Sequence, residues 1–444
     1  MPLTPDDDRF LARLFNNLNP DEPLLPGDAR YEPVYERPGC VDPMAELSRK
    51  IRRSETESTI LLSACQGAGK TTELNRLRKD LDSSGYFVLY ADAIQYINPA
   101  LPITISDFLI ALAGAFSDAL AEKAIDIAGE SYWTRLCNWL TKTNLELQEI
   151  ATKLDADPVK AGILLKLELK SSPSFRQRLV DALSDRIGGM RDDVALFFED
   201  GYKAIQRQRP DTQVVFIFDS LEKIQGSRFH WNPAIRSVQR LFTNHRAMLS
   251  IPYLHMVYTV PPWLKFLPNG LDMEVIPAVR TCHHDEARTR CEEGIAALAS
   301  LVHKRLGEGG ALRLFGPNHT AAVDQLILVS GGHFRDLLRL FPEIVLMIDE
   351  LPATQKTFDR AIAEVRSSFL PIAVDDAVWL DRITRERASP LPTGTDQDIS
   401  RLTRFLDSRI ILYLRNGEDW HDIHPMVRDE VSRIAAAYPA DTQP

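Results

Sequence analysis

The run Ala64-Cys65-Gln66-Gly67-Ala68-Gly69-Lys70-Thr71-Thr72 follows the apolar Ile60-Leu61-Leu62 and precedes leucines at 74, 77 and 81. No other stretch constrains the fold as much. An apolar strand, a glycine-bearing turn and a helix with one apolar face, in that order, predict a strand–loop–helix unit. Glycines at such a turn let backbone N–H groups point inward around a phosphate, and the helix N-terminus adds the positive end of its dipole. A lysine at position 70 can reach the terminal phosphates of a nucleoside triphosphate, and Thr71 can ligate magnesium. The expected nucleotide contacts are therefore Gln66, Gly67, Ala68, Gly69, Lys70, Thr71 and Thr72. The pattern asks for glycine at position 64, where this chain has Ala64. The tail Gly-Ala-Gly-Lys-Thr-Thr, which carries most of the phosphate contacts, is intact.

A chain of 444 residues has room for two or three domains. No apolar run approaches the roughly 20 residues that span a bilayer, so no membrane partner is expected. The start, Met1-Pro2-Leu3-Thr4-Pro5-Asp6-Asp7-Asp8, lacks the basic-then-apolar form of a secretion signal. Five cysteines in so long a chain point to reduced thiols and a cytoplasmic protein. A formal charge of −10 argues against a surface devoted to wrapping nucleic acid. The basic clusters at Arg49-Lys50-Ile51-Arg52-Arg53 and from Arg382 to Arg387 read as solvated helix faces.

Residues 1–40 are proline- and acid-rich and read as an arm with a short helix at Phe10–Leu14, lying on the next domain. Residues 41–280 alternate strand-like and helix-like segments, the sign of an α/β sheet domain. Strands are expected at Thr59–Ala64, Tyr86–Ala91, Gln213–Phe218, Leu254–Thr259 and Met273–Pro277. The interval 92–212 is a long, largely helical insertion, periodic at Phe108–Leu120 and Phe175–Ile205. Within it the segment Ile163–Leu169 alternates and reads as an exposed strand or hairpin arm. Residues 281–370 are helical, with helices expected at Glu286–Arg305, Thr320–Ser330, His333–Met347 and Thr357–Phe369. In residues 371–444 a linker at Ser389–Gly394 precedes a helix at Ile399–Leu406, the apolar Ile410–Leu414 and the turn signal Asn416-Gly417. Helix, hairpin and helix make a small winged-helix-like end.

A second signature is Val214-Val215-Phe216-Ile217-Phe218-Asp219-Ser220-Leu221-Glu222. Continuous β-branched and aromatic residues suit a buried central strand. Asp219 at its end can hold the magnesium shell with Thr71, and Glu222 can orient or deprotonate an attacking water. Thr259 ends another buried strand, Met256-Val257-Tyr258-Thr259-Val260-Pro261, and can touch the γ-phosphate or that water. In Ser330-Gly331-Gly332-His333-Phe334-Arg335-Asp336, Arg335 opens a helix from which it can swing toward the phosphates. Cys282-His283-His284 with Cys291 matches no zinc spacing and is not read as a metal site. His421 and His424 read as packing and turn residues, and Cys65 as a buried thiol.

These four pieces, in this order, resemble the AAA+ superfamily and its STAND and origin-recognition-like relatives. They look most like a group of bacterial STAND-like ATPases, as does the stretch Trp420 to Pro425. The resemblance spans about residues 28–430 and is specific only at the motifs. It implies a P-loop NTPase parallel sheet, a helical lid and a winged helix, with Lys70 and Thr71 as Walker A, Asp219 as Walker B, Thr259 as sensor 1 and Arg335 as sensor 2. It also implies ATP and Mg2+ as ligands and an arginine finger from a neighbouring subunit, for which Arg236, Arg240, Arg246 and Arg280 are candidates. The family places an acid directly after the Walker B aspartate; Ser220 stands there, which points to slow hydrolysis. The expectation is an ATP-driven switch or assembly ATPase working through a homo-oligomer or a separate effector protein, a role associated with bacterial signalling and anti-phage systems. The alternative is a DNA-binding loader or transposition-type ATPase. A small-molecule kinase and a nucleotide-binding scaffold without turnover are weaker alternatives.

Overall fold

A computed structural model describes residues 3–37, 41–127, 131–136, 158–183, 187–225, 231–267, 271–388 and 395–438. The strands are β1 (Ser58–Ala64), β2 (Phe87–Asp92), β3 (Val214–Asp219), β4 (Leu254–Val260) and β5 (Glu274–Ile276), each within two residues of its expected position. They form one five-stranded sheet in the order β2-β3-β4-β1-β5. The pairings β1–β4, β3–β4 and β2–β3 are parallel. Every residue of β3 and β4 is buried, as continuous apolar runs in a covered parallel sheet require. In register, Asp92 lies opposite Asp219, Phe218 opposite Tyr258 and Ser63 opposite Val260, so the strand ends share one edge. In open α/β sheets, ligands bind at that carboxyl edge.

The chain divides into two compact bodies. One, comprising Leu47–Ser63 and Arg78–Glu274, holds most of the sheet and the long insertion. The described part of that insertion is helical: Ile105–Glu122, Pro158–Ser171, Pro173–Leu183 and Ile187–Gln208. The helix Ile105–Glu122 opens with a Thr104/Asp107 capping box and is buried on nearly every side. Its Phe116 ring lies 4.4 Å from Phe198 and 5.5 Å from Phe216, centroid to centroid. Gly201 makes that approach possible, because a Cβ there would come within 2.4 Å of the Phe116 ring.

The strand expected at Ile163–Leu169 is instead part of the helix Pro158–Ser171. Leu165 and Leu169, four residues apart, are the buried pair, and Leu167 between them is exposed. Lys166 completes the helical register by reaching Asp118 at 3.1 Å and lying over the Tyr96 ring. A short apolar run fits both periods, and the partners decide.

The other body comprises Met1–Glu46, Ala64–Leu77 and Val275–Pro444. Its first helix, α1 (Pro5–Asn17), is longer than the expected Phe10–Leu14, because the acidic start forms its first turn. Thr4 and Asp7 make a capping box, and acids are favourable at a helix N-terminus. Beyond α1 the arm buries Leu18, Leu24, Val34 and Tyr35. It is also tied to α2 (Lys70–Ser83), the helix after the glycine loop. Leu24 N–H donates to Thr72 Oγ1 at 3.1 Å, and Asn75 donates to the Leu24 carbonyl at 3.0 Å.

Helices follow at Glu292–Leu306, Gly310–Phe315 and His319–Val329, then α3 (Phe334–Met347) and Gln355–Ser367. The first starts six residues later than expected. Residues 281–291 turn back on themselves through a Cys282–Arg290 bridge, a His283 N–H bond to the Thr289 carbonyl and a Cys291 N–H bond to the Thr281 carbonyl. The small terminal domain holds helices Val374–Glu386 and Asp396–Asp407, the antiparallel hairpin of β6 (Ile411–Asn416) and β7 (Glu418–Ile423), and α4 (Pro425–Ala437). The hairpin turns at Gly417, φ +77°, as the Asn-Gly signal foretold. The linker expected at 389–394 lies outside the described residues.

Candidate functional site

The glycine loop leaves β1 at Ala64 and closes into α2 at Lys70. Gly67 and Gly69 sit at φ +86° and +80°, where side-chain-bearing residues are strained. Ala68 N–H bonds back to the Cys65 carbonyl and Glu73 N–H to that of Gly69, which sets the turn and starts the helix. The first turn of α2 thus offers the N–H groups and dipole expected of an anion cradle. Thr72, expected to contact nucleotide, has its hydroxyl engaged by Leu24 of the arm. Cys65 is buried, and burial pushes its thiol up to about 12, so it stays protonated and unreactive.

The first turn of α3 packs onto this loop. Arg335 N–H donates to the Gly67 carbonyl at 3.1 Å. A Cβ at Gly67 would lie 2.5 Å from Arg335 Cβ, and one at Gly69 would lie 3.3 Å from the Phe334 ring. The Phe334 ring meets Tyr35 of the arm edge to face at 6.0 Å. The Arg335 guanidinium is half-buried, and burial pulls its pKa down. It pairs at 3.1 Å with Asp21, a largely exposed carboxylate. A cation held partly out of water by an exposed partner can exchange that partner for a phosphate at little cost.

In the sheet body, three of the predicted residues meet at the ends of β3 and β4. Thr259 Oγ1 donates to Glu222 Oε2 at 2.9 Å and accepts the Ser220 N–H at 2.6 Å. The same N–H lies 2.7 Å from Asp219 Oδ1. Glu222 reaches Thr259 because the chain turns at once into a short helix, Leu221–Lys223, with Ser220 in the left-handed region at φ +73°. A non-glycine residue held there beside a buried acid is the kind of strain that collects at functional sites.

Sequence reasoning missed Tyr90. It lies on β2, and its hydroxyl donates to Asp219 Oδ2 at 2.8 Å. Burial, then the Asp219 charge, raises its pKa, so it remains a donor. The available signal was the adjacency of β2 and β3, which pattern reading does not supply. Asp21 was missed for the same reason.

The remaining candidates separate. Arg236, Arg240 and Arg246 are exposed, and Arg280 is half-buried. His284 stacks on Trp420, and Cys282 packs against the cluster of Ala278, Leu412, Leu414 and Trp420. The structure does bring His283, Cys291 and Glu293 together, with ligand atoms within 4.8 Å of one another. The Cys291 thiol there donates to Glu293 and so already has a partner. His424 caps α4, accepting the Met426 N–H at 3.2 Å, as its turn reading implied.

No family model and no curated protein matches the chain. Solved structures do. The Aeropyrum pernix ORC2 protein (ADPNP-ADP complexes) is 12% identical, with a TM-score of 0.40, over 96% of this chain and 98% of that one. Cdc6p from Pyrobaculum aerophilum is 12% identical, with a TM-score of 0.35, over 95% and 98%. A Walker-type ATPase of Pyrococcus abyssi is 13% identical, with a TM-score of 0.37, over 87% and 95%.

Proposed function

We propose that the chain is a Mg2+-dependent ATP-binding and slowly hydrolysing switch of the AAA+ type. The observation that carries this reading is the glycine loop: two residues at positive φ just ahead of a helix N-terminus, with Arg335 bonded to its Gly67. The chemistry of the donor groups supports the reading as well. Backbone N–H groups and Lys70 suit a polyphosphate, and the Thr71 hydroxyl of one body and the Asp219 carboxylate of the other are each the hard oxygen donor that Mg2+ takes. Gln66 to Thr72 would hold the phosphates. Magnesium would supply charge neutralisation of the phosphate oxygens. Glu222, oriented by Thr259, would position the attacking water, and Arg335 would report the γ-phosphate by leaving Asp21. Ser220 in place of an acid supports slow turnover and hence a switch, acting through a second copy or an effector protein. A bacterial STAND-like grouping draws support from the four motifs alone, and a role in defence only from the association of that group with such systems.

Fluorescent-ATP binding with and without Mg2+, phosphate release, and solution size with and without ATP test this. Lys70→Ala should weaken binding by about a hundredfold, the order expected for loss of a charged contact worth roughly 2–3 kcal/mol. Equal affinity in wild type and variant, or no binding by wild type, refutes the reading.

A second reading, a DNA-loading ATPase, draws support from the winged-helix-like end. Against it, the basic residues of Arg382–Arg387 are largely answered by their own helix: Arg382 pairs with Glu386 and Arg385 with Asp381. The hairpin tip carries Glu418 and Asp419. Salt-dependent retention on duplex DNA with ATP present would establish it, and its absence at low salt would remove it.

A further inference from the structure

Asp336, the third residue of α3, has a fully buried carboxylate. Its Oδ2 lies 2.9 Å from His333 Nδ1, 3.0 Å from Arg409 Nε and 3.6 Å from His424 Nε2. Arg339 approaches the other oxygen at 3.7 Å. His333 Nδ1 also faces the Asp336 N–H at 3.4 Å. One nitrogen cannot both donate and accept, and the shorter contact, to a charged acceptor, decides that it donates. His424 accepts through Nδ1, so its proton sits on Nε2, toward Asp336. Burial works to raise the Asp336 pKa. The His333 ring, with His424 and Arg409, more than reverses this and holds the carboxyl far below the usual range.

The partners come from two places. His333 and Arg339 belong to α3 and its cap. Arg409 lies two residues before the hairpin, His424 follows it, and both pack on the Phe369 ring, at 5.6 and 4.7 Å. A buried ion pair is a poor source of stability, because desolvation offsets the attraction and an apolar side chain packs as well. Its contacts here join the two places. Residues 333–336 therefore touch the glycine loop through Arg335 and the hairpin domain through Asp336. The loop also meets β6 directly, where the Tyr413 backbone hydrogen-bonds to the Cys65 sulfur.

We propose that Asp336 is a positioning residue that clamps the hairpin domain, through Arg409 and His424, to the turn of α3 that carries Arg335. A shift of that turn on nucleotide binding then moves the hairpin domain with it. This consequence rests on the reading that Arg335 answers the nucleotide; the clamp itself does not.

Hydrogen exchange on the full chain separates the two. Without nucleotide, Arg409→Gln and Asp336→Asn should each speed exchange of the Arg335 amide by about tenfold, while amides of α1 keep their rates and Arg409→Lys restores protection. With ATP and Mg2+, wild type should gain protection in residues 411–427. Arg409→Gln should lose that gain while keeping nucleotide affinity within about threefold. An unchanged Arg335 amide in both variants, or an equal rise throughout α1, overturns the clamp. Hairpin protection that survives in Arg409→Gln overturns the coupling. Failure of wild type to bind ATP refutes the proposed function and leaves the nucleotide-free result to judge the clamp.

Discussion

Replacing Gly67 with alanine tests how tightly the glycine loop and α3 are joined. Two costs are expected. The backbone at φ +86° lies in the left-handed region, which costs an L-residue about 1–2 kcal/mol. The new methyl would then stand 2.5 Å from Arg335 Cβ and 3.0 Å from both Arg335 Cδ and His333 Cε1. Carbon atoms pack at about 3.5–4.0 Å, so the first turn of α3 must move by roughly 1 Å. That displacement strains the bond from Arg335 N–H to the Gly67 carbonyl, worth about 0.5–1.5 kcal/mol, and adds an overpacking cost of about 1–3 kcal/mol. The total is roughly 2.5–6.5 kcal/mol. Gly27 provides the control within the same body, since it sits at φ +91° and a methyl added there would meet nothing within 4 Å. Gly27→Ala should therefore cost only the conformational part, about 1–2 kcal/mol. Urea unfolding of both variants, followed by circular dichroism and by tryptophan fluorescence, measures the difference. If Gly67→Ala is no more destabilising than Gly27→Ala, α3 does not rest on the loop as described.

Other perturbations address the sheet body. Thr259→Val keeps the shape of a fully buried side chain but strips Glu222 of a donor, and should cost about 1–3 kcal/mol and slow phosphate release; unchanged stability and turnover would exclude the Thr259–Glu222 link. Tyr90→Phe removes the hydroxyl donated to Asp219 and should cost about 1.5–3 kcal/mol, the range for bonds to charged groups, by denaturant titration. A loss under about 0.5 kcal/mol would mean that the bond is not formed in solution. His255 is buried beside Ser58, and burial holds its pKa below 6.5. The unfolded chain takes up this proton near pH 6.5 and the folded chain only at lower pH. Stability from His255 is therefore complete above pH 6.5 and lost as pH falls below it. Melting temperatures at pH 7.5 and 5.5 should fall more for wild type than for His255→Gln, and parallel falls would contradict the assignment.

The parts of the candidate site that could be read from the chain are those whose geometry is local. Gly67 and Gly69 announce positive φ because no other residue adopts it freely, and the helix from Lys70 follows within the same few residues. β3 and β4 announce themselves as buried strands through their long apolar runs, which end at Asp219 and Thr259. Glu222, three residues past Asp219, was within reach of the same local argument. The segment at 163–169 defeated it, since seven residues match either period until Asp118 and Tyr96 supply partners.

The order of motifs along the sequence determined that a strand–loop–helix unit would precede an acid-tipped strand, a hydroxyl-tipped strand and a helix opening on Arg335. Only tertiary structure decided what those residues touch. Tyr90 finds Asp219 across 129 positions, and Arg409 finds Asp336 across 73. The physical reason is the same in each case. Local backbone preference is set by neighbours in the chain, whereas a buried carboxylate must be answered by whichever donor the packing brings within about 3 Å.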